Sequence, residues 1–390
     1  MKRLLLIAAC ILMVAAPCDA RKKPKNIIFL IGDGMGFGAV SSLLLTESEA
    51  TGFELGNPVI GLNETCSANN YVTDSPAGGT ALATGTRTCN GYLGVGPDSV
   101  QLVSSLMVAR SLGKKTGIVV NTILTEATPG AFYAGVTSRS QGYKIAEQFV
   151  ESGVDVAIGS GLDPFVKRPD SLDLTATLIN KGYDVYLSWP EVKLSEADRY
   201  VGILPSSNVH RRNKAKTEAG AADGAEVCLA AKMAANHVDD GSVPPLDPKT
   251  YLTQAVDKAL GTLTRTGKKN GFFLMIESAI IDGYGHNNDS DGMIEEMQEF
   301  DQTLKLLVNY VNNHPNTLLV VTADHETGGT AVTYLKHEVG EEKPIQLKFI
   351  GKGHTGTVVP IFAYGAGSEE FGRVMKNSQI AEKMKELMQK

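Results

Sequence analysis

Among the seven histidines of the 390-residue chain, three stand in short polar frames: His286 four residues after Asp282, His325 directly after Asp324, and His354 within Gly-His-Thr-Gly. Mixed imidazole and carboxylate donors suit zinc. A lone histidine is usually structural, but these three accompany further acids, Asp33, Glu126 and Glu277, with Thr128 beside them. The segment Thr73-Asp74-Ser75-Pro76-Ala77-Gly78-Gly79-Thr80 supplies a candidate nucleophile. Pro76 suits the first turn of a helix that Ser75 would cap, and such a helix start aims free backbone N–H groups at an anion. The bland alternative is a capped helix whose glycines ease a packing contact.

These residues need a scaffold, and the hydrophobic pattern supplies one. Short apolar runs predict strands at Asn26 to Ile31, Thr116 to Thr122, Val154 to Ile158, Tyr183 to Leu187, Gly271 to Ile276, Thr317 to Thr322 and Val358 to Tyr364. Apolar spacings of three and four predict helices over Val100 to Leu112, Tyr143 to Ser152, Tyr251 to Arg265 and Gly292 to Asn312. Continuous apolar strands separated by helices imply an α/β fold with a mostly parallel central sheet and helices on both faces. In such sheets ligands bind beyond the carboxyl ends of the strands. Asp33, Glu126 with Thr128, Glu277, and Asp324 with His325 each follow a predicted strand, so they converge on one rim.

Composition narrows the class. The chain is 43% hydrophobic and 21% charged, which suits a large folded core. Lys2 and Arg3 precede an apolar run from Leu4 to Ala16 that reads as a secretory signal peptide over residues 1–20. That run is too short to span a bilayer, and no other segment qualifies. Secreted or periplasmic residence follows, with Cys18 a poor lipoprotein anchor because Pro17 occupies a position that wants a small residue. Loss of the leader moves the formal charge from -6 to -7, which disfavours nucleic-acid binding. Cys66, Cys89 and Cys228 remain, without zinc-ligand spacing; a Cys66 to Cys89 bridge is compatible with an oxidising compartment.

The chain resembles the alkaline phosphatase family over nearly its whole mature length. The stretches that carry the resemblance run, in the family's order, from Ile28 to Gly36, Val72 to Gly85, Thr125 to Arg139, Ile276 to His286, Val321 to Gly329 and Gly353 to Tyr364. The resemblance implies a single catalytic domain over residues 21–390 that hydrolyses phosphate monoesters through a phosphoserine on Ser75. It implies one Zn2+ on Asp282, His286 and His354, and a second on Asp33, Asp324 and His325, with Ser75 on that second zinc. It further implies Mg2+ on Asp33, Thr128 and Glu277, Glu126 acting through a metal-bound water, and Arg139 gripping two phosphate oxygens. Inorganic phosphate would be product and inhibitor.

Some positions depart from the family's pattern. Gly283 stands where relatives usually carry a larger side chain that reaches phosphate or its waters, and Glu126 is one methylene longer than the aspartate of some relatives. The short interval from His325 to His354 implies a reduced surface insertion near 330–353, on which relatives build dimer contacts; a homodimer stays an open expectation. Sulfatases of the same fold want arginine four residues after the nucleophile, where this chain has Gly79. Phosphodiesterase relatives commonly lack the third metal set, and a non-catalytic metal-binding protein would not need Ser75 and Arg139. Monoester hydrolysis is therefore the expected activity.

Overall fold

In a computed structural model that describes residues 23–206, 246–247, 249–333 and 345–389, the segment Asn-Ile-Ile-Phe-Leu-Ile-Gly forms the strand at the heart of the molecule. The expected leader over residues 1–20, with Cys18, and Cys228 lie outside the described residues. In chain order the strands are β1 (Asn26–Gly32), β2 (Val59–Glu64), β3 (Lys115–Ile123), β4 (Val156–Ser160), β5 (Asp184–Tyr186), β6 (Tyr200–Leu204), β7 (Phe272–Ser278), β8 (Thr317–Thr322), β9 (Glu326–Thr327), β10 (Ala331–Val332), β11 (Leu347–Lys348), β12 (His354–Thr355), β13 (Val359–Gly365) and β14 (Val374–Lys376). Ten of them make one sheet in the order β14-β2-β13-β8-β1-β7-β3-β4-β6-β5. From β8 to β5 every neighbouring pair is parallel. Only β13 runs against its neighbours β8 and β2.

Alternation along β1 divides the core. Ile27, Phe29 and Ile31 pack on one face with Leu82, Phe149 and Met384, from the helices Ser75–Thr84, Gly142–Ser152 and Asn377–Gln389. Ile28 and Leu30 pack on the other with Val256, Phe300 and Leu304, from Tyr251–Thr266 and Ser290–Asn313. Both faces are covered, as a parallel sheet requires. Each fully buried Phe or Leu contributes roughly 1.5–3 kcal/mol, so the two layers hold the central strands rigidly.

Register turns this architecture into a site. Ile31 of β1 pairs with Glu277 of β7 and with Thr322 of β8, and Val120 of β3 also pairs with Glu277. The residues just beyond these positions therefore emerge together at one end of the sheet.

The elements differ from the sequence expectation in places. The helix expected from Val100 starts at Ser105, because the Ser104 side chain accepts from Met107 N at 3.1 Å and caps it there. The strand expected over Tyr183 to Leu187 is three residues long, and Val154 to Ile158 shifts to Val156–Ser160. The strands β2, β6 and β14 were not foreseen. In the reduced-insertion interval β10 pairs with β11, and residues 334–344 lie outside the described residues. No helix among the described residues is long and apolar enough to cross a membrane.

Candidate active site

Ser75 opens the helix Ser75–Thr84, but it is not the cap. That role falls to Asp74, whose Oδ1 accepts from Ala77 N at 3.1 Å and whose Oδ2 accepts from Gly91 N at 2.6 Å. An aspartate one position earlier serves the backbone better and leaves the Ser75 hydroxyl uncommitted to the helix. Ser75 Oγ instead lies 3.3 Å from His325 Nε2, in a nearly closed environment. Pro76 takes its expected place in the first turn. A Cβ at Gly78 would come 3.1 Å from Asp324 Cβ, and one at Gly79 would come 3.1 Å from Thr128 Cα. The glycines thus let the helix dock directly onto the acids, as the packing reading of this segment requires.

The strand-end acids and histidines gather in adjoining clusters. Asp33, Asp324 and His325 offer ligand atoms all within 4.8 Å of one another, with His325 Nε2 3.3 Å from Asp324 Oδ2 and 3.6 Å from Asp33 Oδ1. Beside them, His286 Nε2 lies 3.2 Å from Asp282 Oδ2, and His354 Nε2 lies 3.5 Å from Asp282 Oδ1. The Nδ1 atoms of these two histidines face backbone carbonyls, Lys352 O at 2.5 Å and Thr73 O at 3.0 Å. Each Nδ1 is thereby the donor, and the two Nε2 atoms converge 3.2 Å apart. Asp282, His325 and His354 also offer ligand atoms within 4.8 Å of one another, so His325 stands between the clusters.

A third set lies behind the first. Thr128 Oγ1 and both Glu277 carboxylate oxygens are buried without a hydrogen-bond partner, as are Asp33 Oδ1 and Asp324 Oδ2. Buried oxygens of this kind are costly unless a cation meets them. Acids and imidazoles arranged in this way fit metal ions. Arg139 is the residue whose placement differs most from expectation: its guanidinium is paired with Glu126. Its backbone N donates to Gly91 O at 3.2 Å, and Gly91 is the residue held by Asp74, so Arg139 is tied to the segment carrying Ser75.

Electrostatics follow from burial. The Asp33 carboxyl is pushed well above its ordinary range by burial and then by Asp324. Glu277 is pushed the same way by burial and Glu126. Asp324 is pushed up to about 7 by burial and the Asp282 charge. Burial also works to raise Asp282, but hydrogen bonds from His286 and His354 outweigh it and hold that carboxyl below its usual range. His286 is pushed up to about 9 by its bond to Asp282, whereas burial and His354 hold His325 well below its ordinary value.

Sequence reasoning missed two supporting side chains. One is Asp74. The other is Thr327, whose hydroxyl donates to Asp282 Oδ1 at 2.5 Å. Its position two residues after His325 was the only signal for it. Cys66 and Cys89 are both free thiols, and Cys66 lies 3.5 Å from Glu64 Oε1 instead of bonding Cys89.

A doubly covered parallel sheet that holds a buried serine among clustered acids and histidines has the makings of a metal-binding hydrolase. The family model described as alkaline phosphatase matches residues 24–201 and 244–350. The chain is 30% identical to the alkaline phosphatase of Escherichia coli over 92% of its own length and 80% of that protein's. Its fold superposes on the alkaline phosphatase of the Antarctic bacterium TAB5 with a TM-score of 0.79, at 30% identity, covering 94% of this chain and 99% of that one. A variant of that enzyme, described with Mg bound in its M3 site, superposes at 0.78 with 31% identity and the same coverage. The chain belongs to the alkaline phosphatase family. It is a phosphatase.

The raised groups set a pH dependence for the metal-free protein. Stability linked to a raised pKa is present below the unfolded value and is lost as pH rises through the folded value, about 7 for Asp324 and about 9 for His286. His325, shifted the other way, is neutral in the folded state and mostly neutral in the unfolded one above pH 7, so it offsets little of the slope. Cations replace the lost protons. The melting-temperature gap between protein loaded with zinc and magnesium and chelated protein should therefore be wider at pH 9 than at pH 7, by about 1–2 °C for each kcal/mol. A gap that is constant or narrower at pH 9 would contradict this electrostatic reading.

Proposed function

We propose that the chain hydrolyses phosphate monoesters to an alcohol and inorganic phosphate, with Ser75 as nucleophile. The observation that carries the reading is the placement of the Ser75 hydroxyl, 3.3 Å from His325 Nε2 at the edge of a buried acid cluster whose oxygens lack partners. Asp33, Asp324 and His325, with Ser75, would hold one zinc. Asp282, His286 and His354 would hold another, and Asp33, Thr128 and Glu277, with Glu126 beside them, would hold magnesium. The TAB5 variant described with Mg in its M3 site supports a magnesium set in this fold. When bound, such ions acidify a hydroxyl or a water and neutralise charge on the attacking and leaving oxygens.

The chain's own residues supply the rest. Ser75 Oγ loses its proton and forms a bond to phosphorus, and the ester P–O bond breaks. The alcohol departs with that electron pair and takes up a proton. Water then attacks the phosphoserine, phosphate leaves, and Ser75 regains its proton. Pro76 has no N–H, and Ala77 N and Gly78 N donate to Asp74 Oδ1 and Asp74 O, so the start of the Ser75–Thr84 helix does not supply the free donors expected of it. Arg139, tethered through Gly91, would exchange Glu126 for two phosphoryl oxygens, a bidentate bond that suits a dianion. Gly283 has open space where a Cβ would stand, so that side of the site lacks the phosphate contact a larger residue would give.

The test is turnover of a chromogenic aryl phosphate. Ser75→Ala should abolish most turnover while retaining inhibition-grade binding of inorganic phosphate, and acid quench of the wild type should trap phosphate on Ser75. Turnover by Ser75→Ala near the wild-type rate, or phosphate trapped elsewhere, would reassign the nucleophile. Arg139→Ala should lower kcat/KM for the monoester by about 1–3 kcal/mol and affect a matched diester, which has one fewer terminal oxygen and one fewer charge, much less. Equal losses on both substrates would show that Arg139 supports the fold and does not select monoesters.

A further inference from the structure

Thr327 is fully buried on β9 between the two histidine-bearing clusters, and both clusters reach its hydroxyl. Its Oγ1 donates to Asp282 Oδ1 at 2.5 Å, and His325 Nδ1 lies 3.2 Å from the same oxygen. A hydroxyl has one proton. With that proton on Asp282, Oγ1 is the acceptor toward His325, so His325 carries its ring proton on Nδ1. The unprotonated Nε2 then faces Ser75 Oγ at 3.3 Å, Asp324 Oδ2 at 3.3 Å and Asp33 Oδ1 at 3.6 Å. The result is one chain of bonds, His325 Nδ1–H to Thr327 Oγ1–H to Asp282, running from one ligand set into the other.

The surroundings are shaped for this side chain. Gly34, at φ +74°, leaves the space in which a Cβ would come 2.9 Å from Thr327 Oγ1 and 2.8 Å from Asp282 Cα. Gly285, on the helix Ile280–Asn287, leaves the space in which a Cβ would come 2.9 Å from Thr327 Cγ2. The Thr327 backbone N donates to Gly34 O at 3.2 Å, and Gly34 N donates to Asp324 Oδ1 at 3.2 Å. Two glycines from separate elements thus admit a β-branched residue whose methyl is wedged against one and whose hydroxyl is aimed past the other. The rotamer is fixed by packing.

We propose that Thr327 is a positioning residue that couples the two zinc-ligand clusters, one hydroxyl setting both the His325 tautomer and the Asp282 carboxylate. The inference rests on the two-zinc reading above. Groups behind metal ligands typically change affinity by about 10–100-fold when removed. A bridging group should do so at both sites together.

The experiment is a chelator titration of zinc-loaded protein, read as zinc released per chain by a zinc-sensitive dye, for the wild type, Thr327→Val and Thr327→Ser. Valine keeps the shape without the hydroxyl, and serine keeps the hydroxyl without the methyl. Thr327→Val should release both zincs at about 10–100-fold lower chelator activity, with Thr327→Ser close to the wild type. Release of both zincs from Thr327→Val at the wild-type midpoint would overturn the proposal. So would weakening of one zinc alone, which removes the coupling, or an equal loss in Thr327→Ser, which makes the effect one of packing. A second readout uses the wild type alone: ring 15N shifts of His325 in the zinc-loaded protein should show the Nδ1–H form, and the Nε2–H form would overturn the proposal. A wild type that takes up no zinc in the first titration would bring down the two-zinc reading itself, and this inference with it.

Discussion

Three carboxylates, Asp33, Glu277 and Asp324, are held together inside the protein with at least one oxygen each lacking a hydrogen-bond partner, and the rest of the structure is organised around that arrangement. Alone it is unfavourable, because burial penalises each charge and the neighbouring charges repel. The protein can protonate the acids or supply cations. The facing Nε2 atoms of His286 and His354 set the same alternative, since two converging ring nitrogens need either a proton or a metal cation between them. A fold that keeps such groups buried stores its chemistry in that demand.

Several features exist to impose the arrangement. Parallel pairing in register brings the ends of β1, β7, β8 and β3 to one edge, and covered faces keep those strands from shifting. The glycines of the Ser75–Thr84 helix allow it to sit against Asp324 and Thr128, and Asp74 caps it so that Ser75 is left free. The β9–β12 pair brings His354 beside His325, with their rings stacked at 3.6 Å between centroids. Glu326, between His325 and Thr327, accepts from Gly329 N and Thr330 N and from the Thr355 hydroxyl, which fixes the turn and the strand carrying His354. A serine hydroxyl therefore meets a preformed site.

Much of this was legible in the chain because the central strands are continuous apolar runs with acids at their ends, and the acid and histidine positions stand out in any reading of Asp33, Asp282, Asp324 and their neighbours. The edge of the sheet was less legible. Tyr200–Leu204 is a short run, broken by Gly202, that periodicity cannot assign, and β2 acquires its strand character from pairing with β13 on one side and β14 on the other. The cap was misread by one residue because Asp74 and Ser75 are both good caps, and only the tertiary bond from Gly91 N to Asp74 separates them. Thr327 was invisible for a similar reason: its partner Asp282 is 45 residues away. Arg139 could be found but not oriented, since its pairing with Glu126 depends on how two loops meet.

The central claim is that cations, not protons, satisfy the buried acids and the facing imidazoles. Its most direct test is crystallography of the purified protein with data collected on both sides of the zinc absorption edge, alongside metal analysis of the same sample. The account predicts anomalous peaks between Asp282, His286 and His354 and between Asp33, Asp324 and His325, with a lighter ion against Thr128 and Glu277. Well-ordered density without those peaks, from active protein, would contradict it.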